Sequence, residues 1–176
     1  MVKYLKDWRV CGGLFIMRLN KINVYVCDED IEFREGIPKL FLGDTALIFT
    51  SFTAPKDMIS YIKECDDDEN QWPDIIITEA IFKNCHMDGI EAAAHIKVMC
   101  PEVIAICCST NVREGYNTTP IVALRHGCDS WVEKTEYFVE DITHKVHHWA
   151  NYVVEKNKLK DIYATILDDK SAITTT

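Results

Sequence analysis

The chain has 176 residues, of which 48% are hydrophobic, so it is long enough for one domain with a sizeable core. Its formal net charge of −9 and its pI near 5.1 argue against direct binding of nucleic acid or of an anionic membrane surface, because both depend on basic patches. The eight cysteines include no C-x-x-C pair. This spacing argues against a zinc ribbon, and we interpret the cysteines as reduced thiols of a cytoplasmic protein.

Residues 1–20 precede the first predicted strand and are interpreted as an N-terminal extension. The apolar patch within it, Val10–Met17, is interrupted by two glycines and is too short for a signal peptide or a membrane span. We therefore expect no membrane partner. Met17 is a candidate start of the folded unit.

Short apolar runs alternate with segments of helical spacing along the rest of the chain. The runs predict five strands: Ile22–Cys27, Ala46–Phe52, Pro73–Glu79, Val103–Cys108 and Ser130–Val132. The helical segments are Ile31–Phe41, Pro55–Cys65, a helix opened by Gly89, Ile121–His126, and a last helix from Val139. This alternation predicts a doubly wound α/β domain over 21–150, with one five-stranded parallel sheet of the flavodoxin-like type.

The last predicted helix is longer than the domain requires. Apolar residues recur every three or four positions from Val139 to Val153, which is typical of one face packing on the sheet. The stripe resumes out of phase at Leu159, Ile162 and Ile166, so we predict that 151–176 continues the helix and ends in a flexible tail from 168. A partner chain is the simplest cover for this stripe, and we hypothesise a homodimer, or another protein partner, through the last helix.

Polar side chains follow several predicted strands at their carboxyl ends. They are Asp28, Glu29, Glu79, Ser109 and Lys134. Because the carboxyl ends of parallel strands share one edge of a sheet, we expect these side chains to lie together. Two interpretations stay open: a divalent-metal site, with Mg²⁺ the candidate, made by Asp28, Glu29 and Glu79, or an acidic cluster paired with Lys134.

Taken in chain order, these features resemble the receiver domains of bacterial two-component response regulators over about 21–150. The stretches that carry the resemblance are Asp28-Glu29, Arg34-Glu35-Gly36, Met87-Asp88-Gly89, Ser109 and Gly127–Lys134. The resemblance implies a (β/α)5 receiver fold, two acids that help to hold Mg²⁺, a hydroxyl at Ser109 and the family's lysine at Lys134. It also places Trp131 at the position of the switch aromatic, for which the alternative is a packed aromatic of an edge strand.

The chain departs from the family at the phosphoacceptor. The family phosphorylates an aspartate at the end of strand three; counted from Pro73 this position is Glu79, and counted back from Met87-Asp88-Gly89 it is Ile81. A glutamate places its carboxylate about 1.5 Å further out, and misplacement of that size can cost about a hundredfold in rate. Glu79 would instead pair with Lys134, or accept from Ser109, without any phosphate.

The resemblance and this departure together predict an atypical receiver that is not an enzyme and requires no cofactor. It would act through phosphorylation-independent protein interaction or dimerisation. The similarity of Arg34-Glu35-Gly36 to regulators that carry a DNA-binding helix-turn-helix implies transcription regulation, and we expect any such DNA-binding domain to lie outside this chain. The alternative is a working phosphoacceptor in a Mg²⁺-dependent phosphorelay. An unrelated nucleotide-binding enzyme is disfavoured, because no glycine-rich phosphate loop follows any predicted strand.

Overall fold

Five strands alternate with five helices in the computed structural model, which describes residues 21–65, 71–110 and 120–173, with side chains described as far as 166. The strands are β1 (Ile22–Cys27), β2 (Leu47–Phe52), β3 (Ile75–Glu79), β4 (Ile104–Ser109) and β5 (Ser130–Glu133). The helices are α1 (Ile31–Lys39), α2 (Pro55–Glu64), α3 (Gly89–Met99), α4 (Pro120–Arg125) and α5 (Phe138–Ile173). The predicted N-terminal extension lies outside the described residues.

The strands form one parallel sheet in the order β2-β1-β3-β4-β5. The chain places β2 on one side of β1 and then β3 on the other side. Because crossover connections between parallel strands are right-handed, this change of direction puts helices on both faces of the sheet. β3 lies at the centre and all five of its residues are buried. The doubly wound, flavodoxin-like sheet predicted from the alternating pattern is therefore confirmed.

The core consists of two layers, one on each face of the sheet. Alternate residues of a strand point to opposite faces, so Ile76 packs in the layer covered by α2, α3 and α4. Its neighbours Ile75 and Ile77 pack in the layer under α1 and α5. Cys107 and Cys108 divide between the two layers in the same way. This two-sided burial explains why β3 reads as a continuous apolar run.

The start of β3 and the end of α5 differ from the boundaries predicted from the sequence. β3 begins at Ile75, although the Asp74 N–H already donates to the Asn23 carbonyl at 2.9 Å. Pro73 lies outside the strand because proline has no N–H for the ladder. Helix α5 continues to Ile173, beyond 168, where the sequence predicts a flexible tail. Residues 168–173 include a lysine and an alanine and contain no glycine or proline, so no strong helix breaker lies among them. Among the described residues, no helix combines the length and apolar character needed to cross a membrane.

Helix α3 begins with a capping box that fixes its position against the sheet. The Asp88 carboxylate accepts a hydrogen bond from the Glu91 N–H at 2.7 Å, and the Glu91 carboxylate accepts from the Asp88 N–H at 3.2 Å. Two backbone donors that the first turn would leave unpaired are thereby satisfied. This arrangement accounts for the aspartate in Met87-Asp88-Gly89.

Replacing Asp88 with alanine is expected to lower the free energy of unfolding by about 1 kcal/mol, because the cap oxygen is lost. Asp88→Asn keeps a side-chain oxygen and is expected to stay within about 0.5 kcal/mol of the natural protein. Urea unfolding followed by circular dichroism measures both variants. Equal losses for alanine and asparagine would show that the negative charge, and not the capping oxygen, stabilises this helix end.

Candidate functional site

Three charged side chains from three different elements meet at the carboxyl edge of the sheet. The register pairs Cys27 of β1 with Thr78 of β3, so the next residues, Asp28 and Glu79, lie side by side. Lys134 follows β5 and extends between them. Its Nζ atom lies 2.5 Å from Asp28 Oδ2 and 2.5 Å from Glu79 Oε2. We call Asp28, Glu79 and Lys134 the ion triad.

Lys134 is held in place by its backbone and by an aromatic ring. Its N–H donates to the Ser109 carbonyl at 2.8 Å, which extends the β4–β5 pairing by one residue. The amine lies 4.0 Å from the centre of the Phe33 ring, a cation–π contact. The side chain is only 1% exposed. A lysine placed there must be paired, because an isolated buried charge is costly.

The pKa of Lys134 is raised above its ordinary value. Burial by itself lowers that pKa, but the hydrogen bonds to Asp28 and Glu79 and their negative charges outweigh it. Because the folded pKa exceeds the unfolded one, the stability gained from this shift is fully present below about pH 10.4, the ordinary lysine pKa. It is lost as the pH rises through the folded pKa. The lysine of the ion triad is therefore charged at neutral pH.

Both carboxylates of the ion triad have their two oxygens engaged. Glu79 Oε1 accepts from the Ala80 N–H at 2.9 Å and from the Ile81 N–H at 3.4 Å, while Oε2 faces Lys134. Asp28 Oδ1 accepts from the Asp30 N–H at 2.9 Å. Glu79 is 8% exposed and Asp28 is 3% exposed. Each carboxylate oxygen of the ion triad therefore has a hydrogen-bond donor within this chain.

Glu29 stands apart from the ion triad. Its Oε2 atom accepts from the Lys83 N–H at 3.2 Å, on the loop after β3. A shared divalent cation needs oxygens of Asp28, Glu29 and Glu79 to converge on one point. Here Asp28 and Glu79 converge on the Lys134 amine, while Glu29 faces the Lys83 N–H. Within the described ranges, no group of three histidine, cysteine or acidic side chains is arranged to hold a metal ion. As placed, the three carboxylates do not fit Mg²⁺, and the magnesium site stays a prediction that would require them to rearrange.

Ser109 and Trp131 are not part of the ion triad. Ser109 is the last residue of β4 and is buried. Trp131 is half-buried and packs against the layer under α2, α3 and α4. Its indole Nε1 atom is buried and has no hydrogen-bond partner within the part of the chain that the structure describes. The roles of hydroxyl residue and switch aromatic stay predictions.

Three contributors to the site were not recognised from the sequence. Phe33 supplies the ring beneath the lysine. The Arg34 guanidinium donates to the carbonyls of Asp28 at 2.8 Å and of Glu29 at 3.5 Å, and so it fixes the end of β1. Gly89 lies so close to β3 that a Cβ atom there would sit 1.7 Å from the Glu79 carbonyl oxygen. Arg34 and Gly89 lie inside the stretches that carry the family resemblance, but the sequence alone does not reveal these contacts.

The cysteines take no part in the ion triad. Those that the structure describes are free thiols, and burial raises the pKa of Cys27 and of Cys108. A raised pKa keeps a thiol protonated and unreactive at neutral pH. These two residues therefore behave as small core side chains, as their positions in apolar runs predict.

Comparison with solved structures identifies the fold of this chain. No protein-family profile matches the chain, and no curated protein matches its sequence. Among solved structures, the beryllofluoride-activated receiver domain of DrrB aligns with a TM-score of 0.59 at 15% identity, over 74% of this chain and 98% of that one. The response regulator domain of Thermotoga maritima CheB aligns with a TM-score of 0.55 at 21% identity, over 74% and 97%.

NtrX from Brucella abortus, in complex with ADP, aligns with a TM-score of 0.63 at 16% identity. The alignment covers 81% of this chain but only 30% of the NtrX chain, so the likeness concerns one part of that longer protein. At these identities the comparisons establish the fold. The chain has the flavodoxin-like receiver fold of two-component response regulators.

Proposed function

We propose that the chain is an atypical receiver, a signalling module that works through protein–protein interaction without phosphorylation of its own. The observation that carries this proposal is the ion triad. The carboxylate at the end of β3 is a glutamate, and its Oε2 atom already lies 2.5 Å from Lys134 Nζ. This pairing supports the proposal that Glu79, a longer acid, stands in the place of the family's phosphoacceptor.

Phosphoryl transfer to a carboxylate needs a free oxygen in line with the donor and cations to neutralise the developing charge. Glu79 Oε2 is paired with Lys134 and Oε1 accepts from Ala80 and Ile81. Attack by either oxygen therefore requires contacts of a buried site to break first. The additional methylene of glutamate also moves the carboxylate away from where an aspartate would hold it.

The ion triad favours one fixed arrangement of charges at the site over a change driven by phosphorylation. Lys134 is neutralised internally, and the triad joins the ends of β1, β3 and β5. A phosphorylated receiver changes state because a new anion arrives beside its lysine. In this proposal Glu79 supplies such an anion from the chain itself, so the output would depend on binding partners. A cytoplasmic location and a role in transcription regulation complete the proposal, the latter on the resemblance of Arg34-Glu35-Gly36.

Exposure to acetyl phosphate and Mg²⁺ is expected to leave the intact mass of the natural protein unchanged. Addition of beryllofluoride is likewise expected to leave the amide resonances of Ala80 and Lys134 unshifted. The comparison variant is Glu79→Asp, which withdraws the carboxylate by one methylene and is expected to gain sensitivity to either reagent. A typical receiver domain treated in parallel confirms that the reagents are active.

The opposite result has a definite meaning. If the natural protein gains one phosphoryl group that hydroxylamine removes, a carboxylate of this chain is a working phosphoacceptor. Peptide mapping would then show whether Glu79 or another acid carries it. That result would replace the present proposal with the Mg²⁺-dependent phosphorelay.

A further inference from the structure

The distal part of α5 carries an apolar stripe that faces away from its own domain. The side chains that form it, all exposed, are Tyr152, Leu159, Ile162, Tyr163 and Ile166. At 100° per residue the centre of this stripe lies about 125° around the helix from the face that packs on the sheet. That core face is formed by Ile142, Val146 and Val153. The stripe is therefore not a continuation of the core.

The domain holds the distal helix in this rotation by contacts on another side. Lys156 donates to the Glu102 carbonyl at 3.4 Å and lies 3.5 Å from the Glu102 carboxylate. Lys160 also pairs with the Glu102 carboxylate. Because these lysines are directed toward the domain, the helix cannot turn its stripe inward without breaking both contacts. Any cover for the stripe would therefore come from a different molecule.

The spacing of the stripe matches packing against a like helix. Tyr152, Leu159 and Ile166 recur every seven residues, and Ile162 occupies the intermediate position of the second heptad. A seven-residue apolar repeat keeps one seam facing a partner helix along its length. Glu155 occupies the corresponding position of the first heptad and pairs with Lys158 at 2.7 Å. The seam is thus apolar from Leu159 onward and interrupted once before it.

The charge of this segment also favours a second copy. The whole chain has a formal net charge of −9, which opposes association of most of its surface with itself. Residues 152–166 contain three lysines and two acids. The net charge of this segment is therefore small, and charge repulsion between two such helices would be weak. We infer that this stripe, defined by Tyr152, Leu159, Ile162, Tyr163 and Ile166, is the contact surface for a second copy of the chain, packed helix against helix. The inference does not depend on the phosphorylation state of Glu79.

The test is the mass in solution, measured by size-exclusion chromatography with light scattering and by sedimentation equilibrium. The natural chain is expected to form a dimer with a dissociation constant below about 100 µM. The double variant Leu159→Glu/Ile162→Glu is expected to be monomeric. Glu155→Leu extends the apolar seam and is expected to strengthen association by about tenfold. A gain confined to the dimer does not arise from misfolding, which gives aggregates of mixed mass, and this keeps the test informative.

Matched controls separate this surface from other exposed apolar residues. Val98 on α3 is 83% exposed, and Val98→Glu is expected to leave the dimer intact. Leu124 on α4 is 51% exposed, and Leu124→Glu is also expected to leave it intact. Loss of the dimer in Leu124→Glu but not in the double variant would assign the contact to α4 and overturn the inference. A natural chain that stays monomeric up to about 100 µM would overturn it as well.

Discussion

Replacing Lys134 with methionine is expected to lower the free energy of unfolding by about 3–5 kcal/mol. Methionine retains most of the side-chain volume, but Asp28 and Glu79 lose their counter-ion while they remain 3% and 8% exposed. Removing one partner of a buried ion pair leaves an uncompensated charge, which is the most costly outcome for such a pair. The contact with the Phe33 ring is changed at the same time.

Urea unfolding at neutral pH measures this loss, and the chain offers a matched control. Lys158 pairs with Glu155 at 2.7 Å, but both side chains are more than half exposed. The same change there, Lys158→Met, is expected to cost less than about 0.5 kcal/mol. If Lys134→Met costs no more than its control, the ion triad does not stabilise the fold. Its role in the proposed function would then lose its physical basis.

A double-mutant cycle assigns the effect to the pair. Glu79→Gln removes one negative charge, so Lys134→Met in that background leaves only the Asp28 carboxylate without a partner. The loss is expected to be smaller than in the natural protein by about 1–3 kcal/mol, the coupling typical of charged groups in one network. Additive losses would mean that Lys134 interacts with Asp28 alone.

Replacing Gly89 with alanine is expected to lower the free energy of unfolding by about 3 kcal/mol, at the upper end for overpacking. A Cβ atom at this position would lie 1.7 Å from the Glu79 carbonyl oxygen and 2.5 Å from Thr78 Oγ1. The nearest obstacle is backbone of the central strand, which cannot rotate away. Either α3 moves outward or the end of β3 shifts, and a shift there displaces Glu79 from Lys134.

Gly36 provides the control for this prediction. It lies inside α1, and a Cβ atom there would meet nothing within 4 Å. Gly36→Ala is expected to stabilise the protein by about 0.5–1 kcal/mol, because glycine is a poor helix former. Thermal unfolding of both variants under one condition distinguishes a steric effect at Gly89 from a general response to glycine replacement. Equal changes in the two melting temperatures would contradict the close approach of α3 to β3.

The fold could be predicted because hydrophobic spacing is a local property. The run ending at Glu79 is continuous because both faces of β3 are buried. The alternation of such runs with helical patterns leaves few topologies open. Element ends were less predictable. The helix at 168–173 shows this, because polar residues suggested a tail while helix propensity and the preceding turns continue the helix.

The candidate site could be predicted only in part. Sequence order placed Asp28, Glu79 and Lys134 at strand ends, and parallel pairing implied that they share an edge. Two arrangements stayed open, a metal site with Glu29 or a salt bridge with Lys134. The geometry has Lys134 between Asp28 and Glu79 and Glu29 on the Lys83 amide. The side-chain directions in this structure match the salt bridge, and such directions depend on packing across the sheet.

By itself, the sequence determined the parallel α/β architecture, the strand-end acids and the glutamate at the end of β3, because periodicity and residue order are written in the chain. The tertiary structure alone decided that Glu79 and Asp28 share one lysine, that Phe33 lies beneath it and that Gly89 packs on the Glu79 backbone. These contacts join residues up to 106 positions apart. Such contacts form only when the sheet brings distant strand ends to within a few ångströms, where a buried charge must find its partner.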